Sequence, residues 1–320
     1  MYTPPFTISA KAINLISEIS AQLERFAIRL EQSDGIRLRK VNRMKTIRGS
    51  LAIEGNTLSE EQVTALIEGK HVVAPVREVQ EVRNAIKAYE SFMSFNPYDY
   101  KDMLKAHEIM ALGLVDNPGH FRKGGVCVAG KDGISHIAPP ADRVPILISD
   151  LFEWLESSSD HILIKSSVFH YEFEFIHPFQ DGNGRMGRFW QSRLLAEWNP
   201  VFANIPVENM IWENQAEYYK AIEDSTEKND SGIFVDFMLE VILHSIQSHN
   251  DPVNDPVNDP VNQVLELIKI TPDLSYNQIA QKIGKSPATV KRALSKLKES
   301  NRIKRIGADK NGHWEIIDRS

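Results

Sequence analysis

The chain has 320 residues and a net charge of −6; 42% of its residues are hydrophobic, and only one is a cysteine. That length suffices for one full-sized domain and a small second one. A single cysteine, Cys127, excludes an internal disulfide framework and is typical of a reducing cytoplasm. No apolar run approaches membrane-spanning length and no signal peptide is recognised, so we expect a cytoplasmic protein without a membrane partner.

Charge is distributed unevenly along the chain. Residues 263–320 contain 12 Lys and Arg against 6 Asp and Glu, whereas residues 1–262 contain 25 against 37. The C-terminal part is therefore basic and the rest is acidic, so the two parts present different surfaces.

Helices are predicted over most of the first 114 residues. Apolar residues spaced three and four apart favour helices at 10–32, 41–54, 59–68, 77–95 and 100–114. Asp34-Gly35 is expected to end the first helix, and Gly55-Asn56 the second. Ser50 and Glu54 are four residues apart and share a face of the second helix. His107 lies among apolar residues of the fifth, and we interpret it as a packing residue.

The pattern changes from helical to alternating between residues 119 and 140. Val126-Cys127-Val128 and residues 134–137 predict two strands. They are joined by residues 130–133, whose Asp-Gly pair is typical of a tight hairpin turn. Pro139-Pro140 ends this segment, and a helix is predicted from residue 144.

The densest cluster of chemically useful side chains is residues 177–188, which read HPFQDGNGRMGR. Apolar spacing predicts helices at 162–176 before it and 186–198 after it, so these residues form a tight turn that enters a helix. Gly182 and Gly184 allow the backbone to curl with its N–H groups pointing inward, and the helix dipole adds positive potential. The pattern therefore predicts an anion-binding cradle.

The side chains of this turn suit a nucleotide polyphosphate. Asp181 is a hard oxygen ligand of the kind that Mg²⁺ accepts when phosphates complete its shell. Arg185 and Arg188 are three residues apart on one helix face, so both can reach the same phosphate chain. The imidazole of His177 is suited to taking a proton from an incoming hydroxyl.

Residues 177–188 match the signature HPFx(D/E)GNGRxxR, and over about residues 40–248 the chain resembles the Fic-domain proteins. The resemblance implies a mainly α fold, with an N-terminal helical region at 1–110 and a Fic helical core with a β-hairpin flap at 111–249. The flap would lie at about 119–140. The implied reaction is the transfer of AMP from ATP to a Ser, Thr or Tyr hydroxyl of a target protein, which could be this chain itself, with Mg²⁺ as the metal.

The resemblance also implies roles for individual residues. His177 would be the general base, and Asp181 would hold Mg²⁺. ATP would be bound by the rest of the signature, namely Asp181, Gly182, Asn183, Gly184, Arg185, Met186, Gly187 and Arg188. The flap would pin the target segment by strand addition through Val126, Cys127, Val128, Ala129 and Gly130. Tyr218 and Tyr219, on a helix predicted at 212–223, resemble the pair that lines the family's adenine pocket, although Thr226 stands where some relatives have asparagine.

Residues 50–55, SLAIEG, fit the (S/T)xxxE(G/N) pattern of the Fic inhibitory helix. The resemblance implies such a helix at about 41–55, in which Glu54 would occupy Arg188 and hold ATP in an unproductive pose. Ser50 would help to hold the Glu54 carboxylate. The alternative is a solvated glutamate near a helix C-terminus, where a negative charge is mildly unfavourable.

The C-terminal part begins after a repetitive segment. Residues 250–262 contain Asp-Pro-Val-Asn three times, and proline at every fourth position prevents a regular helix, so we predict a linker and a domain boundary. Three helices, at 262–270, 275–283 and 287–300, then precede a hairpin of 302–306 and 313–317 around the turn 309–312. This order is typical of a winged helix-turn-helix domain, which we place at 263–320.

This domain carries basic side chains on the second helix of its helix-turn-helix, predicted at 287–300. Thr289, Lys291, Arg292 and Lys296 are predicted to contact DNA. The alternative is a protein-docking winged helix with a solvated basic face.

Two other functions stay open at this point. One is a transcriptional regulator whose Fic core only senses a nucleotide. The other is a Fic variant that phosphorylates, uses another nucleotide or removes AMP; Gly184 argues against the phosphorylating branch, which typically has lysine there. A homo-oligomer is compatible with the sequence.

Overall fold

The computed structural model describes residues 2–31, 35–130, 133–250, 260–299, 302–306 and 313–317. They belong to two compact units, Met1–Gln247 and Ser248–Ser320, which are considered separately below. None of the helices in these ranges combines the length and the apolar character needed to cross a membrane.

The larger unit is built from helices and one two-stranded antiparallel sheet. Its elements in chain order are α1 (Ala10–Glu31), α2 (Gly35–Ile53), α3 (Glu60–Ile67), α4 (Val76–Glu90), α5 (Tyr100–Met110), β1 (Cys127–Gly130), β2 (Gly133–Ile137), α6 (Val144–Ser157), α7 (Ile162–Ile176), α8 (Asn183–Trp198), α9 (Val207–Glu213), α10 (Gln215–Lys228) and α11 (Gly232–Asn250). Almost every side chain of α7 and α8 is buried. These two helices are therefore the centre of the unit, as expected of helices covered on all sides.

The boundary between α1 and α2 differs from the prediction. Gly35 is the first residue of α2 and not a helix stop, and α2 begins six residues before the expected position 41. A Cβ atom on Gly35 would lie 2.0 Å from the carbonyl oxygen of Leu30, so only glycine allows the two helices to meet this closely. Arg39 donates from Nη2 to the same carbonyl at 3.2 Å.

Two predicted helices are each interrupted in the structure. The helix expected at 77–95 ends at Glu90, and a separate 3₁₀ turn follows at Phe92–Ser94. The single helix expected at 212–223 is wrong, because α9 ends at Glu213 and α10 starts at Gln215. The N–H of Asn214 donates to the carbonyls of Met210 and Ile211, which closes α9 at this point.

The C-terminal end of α2 is a Schellman cap. Gly55 has a φ of +87° and donates its N–H to the carbonyl of Ala52 at 3.0 Å, and Asn56 donates to Leu51 at 3.1 Å. The predicted stop at Gly55-Asn56 is therefore confirmed. Glu54 is the cap residue, which places its side chain at the end of α2.

The smaller unit consists of α12 (Pro260–Ile270), α13 (Tyr276–Ile283), α14 (Pro287–Glu299) and an antiparallel hairpin of β3 (Ile303–Ile306) and β4 (His313–Ile316). Ser275 forms a capping box with Gln278 at the start of α13, and Gly284 closes that helix in the left-handed conformation. This is the predicted winged helix-turn-helix order. Residues 251–259 of the predicted linker and the predicted wing turn at 309–312 lie outside the described residues.

Candidate active site

Residues 177–182 form the turn that joins α7 to α8, and residues 183–188 are the first residues of α8. His177 ends α7 in the left-handed conformation, with φ 51° and ψ 61°, which is uncommon for a residue with a Cβ atom. Gly182 precedes α8 and is also left-handed, with φ 88°. The side-chain amide of Asn183 fastens the turn, because Oδ1 accepts from the Phe179 N–H at 2.8 Å and Nδ2 donates to the Phe179 carbonyl at 2.9 Å. Both polar ends of Asn183 thus serve the turn itself, and its contact with ATP stays a prediction.

Two buried guanidinium groups lie against this turn. The side chains of Arg185 and Arg188 are 4% and 1% exposed. A Cβ atom on Gly182 would lie 3.4 Å from Nη2 of Arg185, and one on Gly184 would lie 2.9 Å from Nη1 of Arg188. Among the residues that the structure describes, Nε and Nη1 of Arg185 and Nε of Arg188 are buried without a hydrogen-bond acceptor. Buried cations with unused donors beside a helix N-terminus fit a polyanionic ligand.

A carboxylate of the chain itself lies in this cradle. Arg188 donates from Nη2 to Oε1 of Glu54 at 2.6 Å and to the carbonyl of Ser50 at 3.0 Å. A Cβ atom on Gly184 would lie only 2.3 Å from the same Glu54 oxygen, so the carboxylate rests directly against the start of α8. Burial opposes the charge of Arg188, yet the adjacent Glu54 raises the pKa of Arg188 above its usual value. The structure thus brings Glu54 and Arg188 into contact.

Ser50 contributes to this contact through its main chain. Its carbonyl accepts from Nη2 of Arg188 at 3.0 Å, and the residue is 3% exposed. The help that its hydroxyl was predicted to give to the Glu54 carboxylate stays a prediction. Tyr89 of α4 donates to Oε1 of the buried Glu208 on α9 at 3.0 Å.

Asp181, the predicted metal ligand, is held between two guanidinium groups. Its Oδ1 accepts from Arg185 Nη2 at 3.2 Å, and its Oδ2 accepts from Arg77 Nη2 at 3.0 Å. Its side chain is 41% exposed. In the described ranges no cluster of three or more His, Cys, Asp or Glu residues could hold a metal ion. The role of Asp181 as a metal ligand stays a prediction.

A second acid lies buried behind the cradle. Oε1 of Glu174 lies 3.8 Å from Nε2 of His170, and in the described part of the chain it has no hydrogen-bond partner. Burial raises the pKa of Glu174 to about 8, and burial lowers the pKa of His170 to about 3. Both groups are therefore mostly uncharged at neutral pH, which leaves Glu54 as the negative charge in contact with Arg188.

His177, the predicted base, is partly exposed at the end of α7. Its Nδ1 lies 3.4 Å from the carbonyl oxygen of Glu174, which favours the tautomer with its hydrogen on Nδ1 and its lone pair on Nε2. In that tautomer Nε2 is the atom that can accept a proton.

His107 does more than pack. Its ring stacks on Phe179, with centroids 3.6 Å apart and planes at 4°. Gly119 donates its N–H to Nδ1 at 2.9 Å, so Nε2 carries the hydrogen and donates it to the carbonyl of Asp181 at 3.1 Å. Burial lowers the pKa of His107 to about 4, which keeps the ring neutral. His107 therefore supports the backbone of the turn, a role that its apolar helix pattern did not indicate.

The predicted flap is an antiparallel hairpin. Cys127 pairs with Ile137 and Val128 with His136, and the register shifts between Val128 and Ala129, as in a β-bulge. Val126 precedes β1, and its carbonyl accepts from the N–H of Ala138 at 3.3 Å. The hairpin is confirmed in its backbone; residues 131–132 of the predicted turn lie outside the described residues.

Arg122, which the sequence reasoning missed, joins the base of this flap to the turn. It is 5% exposed, and its guanidinium donates to the carbonyls of Gly124, Pro139 and His177. Phe-Arg-Lys before two glycines marks the start of the hairpin, but nothing in that pattern indicates a buried cation.

Four of the residues assigned to ATP differ in how far they are open to a ligand. Tyr218 is 2% exposed and its hydroxyl is hydrogen-bonded inside the core, whereas Tyr219 is 40% exposed. Met186 is fully buried. Gly187 faces α7, since a Cβ atom there would lie 2.8 Å from Oε1 of Glu174. Of these four, Tyr219 is the one whose ring is open to a ligand.

Comparisons with protein families match both units. Residues 97–195 match the model of the Fic/DOC family, and residues 262–304 match a model described as winged helix-turn-helix DNA-binding. A crystal structure of a Fic family protein from Desulfovibrio desulfuricans G20 is 40% identical, with a TM-score of 0.76, and the alignment covers 100% of this chain and 99% of that one. A Fic domain containing signaling protein from Bacteroides thetaiotaomicron, at 16% identity and a TM-score of 0.60 over 75% of this chain and 97% of that one, shares the fold.

Curated relatives match over the catalytic part. Protein adenylyltransferase Fic of Culex quinquefasciatus is 34% identical over 166 residues, which is 48% of this chain and 32% of that protein. Protein adenylyltransferase Fic of Drosophila mojavensis is 31% identical over 204 residues, 60% of this chain and 38% of that protein. The chain thus spans about a third of the length of these relatives.

Proposed function

This chain belongs to the Fic family, and from that premise we propose that it is a protein adenylyltransferase that moves AMP from ATP to a Ser, Thr or Tyr hydroxyl of a target protein. The observation that supports this most strongly is the cradle at α8. Arg188 already binds an oxyanion there, the Glu54 carboxylate, at 2.6 Å, and this carboxylate lies against Gly184. A phosphate oxygen has the same charge and the same need for donors.

The roles of the side chains follow from their positions. His177 takes the proton of the target hydroxyl through Nε2, and the hydroxyl oxygen then attacks the α-phosphorus while pyrophosphate leaves. Arg185 and Arg188 hold the β- and γ-phosphates with donors that are buried and unused. Positioning and charge neutralisation carry most of the catalysis, as in phosphoryl transfer generally.

The test uses ATP labelled at either the α- or the γ-phosphate. AMP transfer leaves the α-label on protein and none of the γ-label, whereas phosphorylation gives the reverse. Competition by GTP, CTP and UTP then identifies the preferred nucleotide. Release of AMP from labelled protein would show that the enzyme also removes AMP. If neither label became covalent, even in the Glu54→Gly variant, the proposal would fail and a nucleotide-sensing regulator would be favoured.

We place Mg²⁺ at Asp181, where its charge would neutralise the nucleotide phosphates when bound. In the structure Arg77 already occupies Oδ2 of this carboxylate, and 59% of its side chain is exposed. A cation that binds Asp181 must therefore compete with Arg77. Cytoplasmic location is part of the same proposal, supported by the single cysteine.

Replacing Asp181 with alanine is expected to abolish metal binding that depends on ATP. Replacing Arg77 with glutamine should lower the metal concentration for half-saturation by about two- to fivefold, the range expected for a partly exposed ion pair. Electron paramagnetic resonance of Mn²⁺ with a non-hydrolysable ATP analogue measures both effects without turnover. Arg83→Gln, an exposed arginine on the same helix, is the matched control. Unchanged Mn²⁺ binding in Asp181→Ala would move the metal site elsewhere.

A second function, DNA binding, is supported by the winged helix-turn-helix match over residues 262–304. On α14, Lys291, Arg292 and Lys296 are exposed, as a phosphate- or base-contacting face requires. Thr289 is less suited than predicted, because its hydroxyl is 2.9 Å from that of Ser286 at the start of the helix.

We expect the full-length protein to bind duplex DNA with an affinity that falls as salt rises. Replacing Lys291 and Arg292 together with glutamine should reduce the slope of log affinity against log salt by about 2, since each lost phosphate contact removes about 0.9. Fluorescence anisotropy across a salt series measures the slope. Lys282→Gln, which removes one charge from an exposed lysine on α13, is the control and should change the slope by less than the double variant. If no duplex bound even at low salt, the domain would instead dock protein.

A further inference from the structure

Arg122 is a buried cation whose hydrogen bonds, in the part of the chain that the structure describes, all go to main-chain carbonyls. Nε donates to His177 at 2.7 Å, Nη1 to Gly124 at 2.8 Å, and Nη2 to Pro139 at 2.5 Å and to Ile176 at 3.3 Å. Its own N–H donates to the carbonyl of Pro178 at 2.9 Å.

These carbonyls belong to three separate segments. Gly124 is on the arm that enters the flap before β1, and Pro139 is on the arm that leaves it after β2. Ile176, His177 and Pro178 form the end of α7 and the start of the turn that carries the proposed base. One planar guanidinium therefore holds both ends of the flap against the backbone of His177, and its rigid fork fixes their directions as well as their distance.

The arrangement is specific to an arginine. Burial lowers the pKa of Arg122, and among the described residues its charge is met by carbonyl dipoles and not by a carboxylate. His177 is left-handed at φ 51°, and its carbonyl is oriented toward Nε of Arg122. A lysine would retain the charge but could not reach all three segments from a single nitrogen.

We propose that Arg122 is a positioning residue that determines whether AMP is transferred to a protein hydroxyl or to water. This inference rests on the proposed adenylyltransferase function. A protein hydroxyl is delivered by a segment bound at the flap edge, so its distance from Nε2 of His177 depends on how the flap is anchored. A water molecule that attacks the α-phosphorus does not have to be bound at the flap.

Both outcomes use the same chemistry at phosphorus. A new bond forms between the attacking oxygen and the α-phosphorus, and the bond from that phosphorus to the oxygen bridging to the β-phosphate breaks. The proton of the attacking oxygen goes to His177, and pyrophosphate leaves. The products are AMP-protein and pyrophosphate in one case, and free AMP and pyrophosphate in the other.

The test measures the ratio of AMP-protein to free AMP in an active Glu54→Gly parent. Intact mass spectrometry counts AMP on protein, and chromatography of the same mixture counts free AMP. In Arg122→Lys the ratio should fall about tenfold or more, since small misplacements of an attacking group have large effects. Affinity for ATP should stay within about twofold, because Arg122 contacts neither Arg185 nor Arg188. Lys123→Gln, an exposed cation in the same segment, should behave like the parent.

A second variant preserves every bond of Arg122. One glycine inserted after Gly125 lengthens the flap arm by about 3.5 Å. The space around Gly125 is open, since a Cβ atom there would meet nothing within 4 Å. The insertion should lower the ratio in the same way, even if Arg122→Lys proved too unstable to assay.

An unchanged ratio in both variants, or a parallel fall of both products, would overturn the inference and reduce Arg122 to a structural residue. A parent that releases AMP but never attaches it to protein would instead overturn the proposed function, and this inference with it.

Discussion

Replacing Glu54 with glycine is expected to raise AMP transfer by about ten- to a hundredfold, the range that a misplacement of about 1 Å costs an enzyme. Glu54 occupies Nη2 of Arg188 at 2.6 Å and lies against Gly184, where a phosphate of ATP is proposed to bind. ATP that binds beside this carboxylate must shift, which turns its α-phosphorus away from in-line attack. Glycine removes both the charge and the volume.

The electrostatics of the site make Glu54 the decisive group. The neighbouring Glu174 is mostly neutral at pH 7, because burial raises its pKa to about 8. Removing Glu54 therefore leaves Arg188 without a charged partner in contact, and its buried donors become available to the nucleotide. Glu54 is 38% exposed and lies at the cap of α2, so its loss should leave the fold intact.

Three variants separate charge from packing. Glu54→Gln keeps the size of the side chain and should activate less than glycine, since an amide can still fill the cradle. Ser50→Ala should activate only weakly, because Arg188 contacts the Ser50 carbonyl, which alanine retains. Arg188→Ala should stay inactive even when combined with Glu54→Gly, because the phosphate clamp is then lost.

Rates of AMP transfer with α-labelled ATP, at equal protein concentration, measure these effects. A Glu54→Gly enzyme no faster than wild type would mean that α2 is an ordinary structural helix.

Local patterns predicted the parts of the site that lie close together in sequence. Residues 177–188 include the glycines of the turn, both arginines and the start of α8. The local shape of this segment therefore follows from short-range geometry. The cap at Gly55-Asn56 is also local, and it was predicted correctly. The contact between Glu54 and Arg188 spans 134 residues, and only the family pattern indicated it.

Long-range polar contacts to the backbone could not be predicted in the same way. Arg122 and His107 both act on main-chain carbonyls, which every residue possesses, so no partner residue type marks them in the sequence. His107 reaches the carbonyl of Asp181 across 74 residues. Gly35 was mistaken for a helix stop for a related reason, since its role depends on how closely α1 and α2 approach.

Replacing His177 with alanine is expected to reduce AMP transfer by about 10²- to 10⁴-fold, the usual contribution of a general base. ATP binding should persist, because the buried donors of the cradle belong to Arg185 and Arg188, not to the imidazole. Made in the Glu54→Gly parent, the variant starts from a high rate, so a large loss can be measured.

His71→Ala, which removes an exposed histidine outside the site, is the matched control and should retain the parent's rate. His107→Gln should give an intermediate loss, because Nε2 of glutamine can replace the Nε2 donor to the Asp181 carbonyl, whereas the stacking on Phe179 is lost. Isothermal titration with ATP separates binding from chemistry in each variant. Because alanine leaves no proton acceptor at this position, parental transfer rates in His177→Ala would show that the base is another group. A loss of ATP binding in parallel with activity would instead mean that His177 holds the turn rather than the proton.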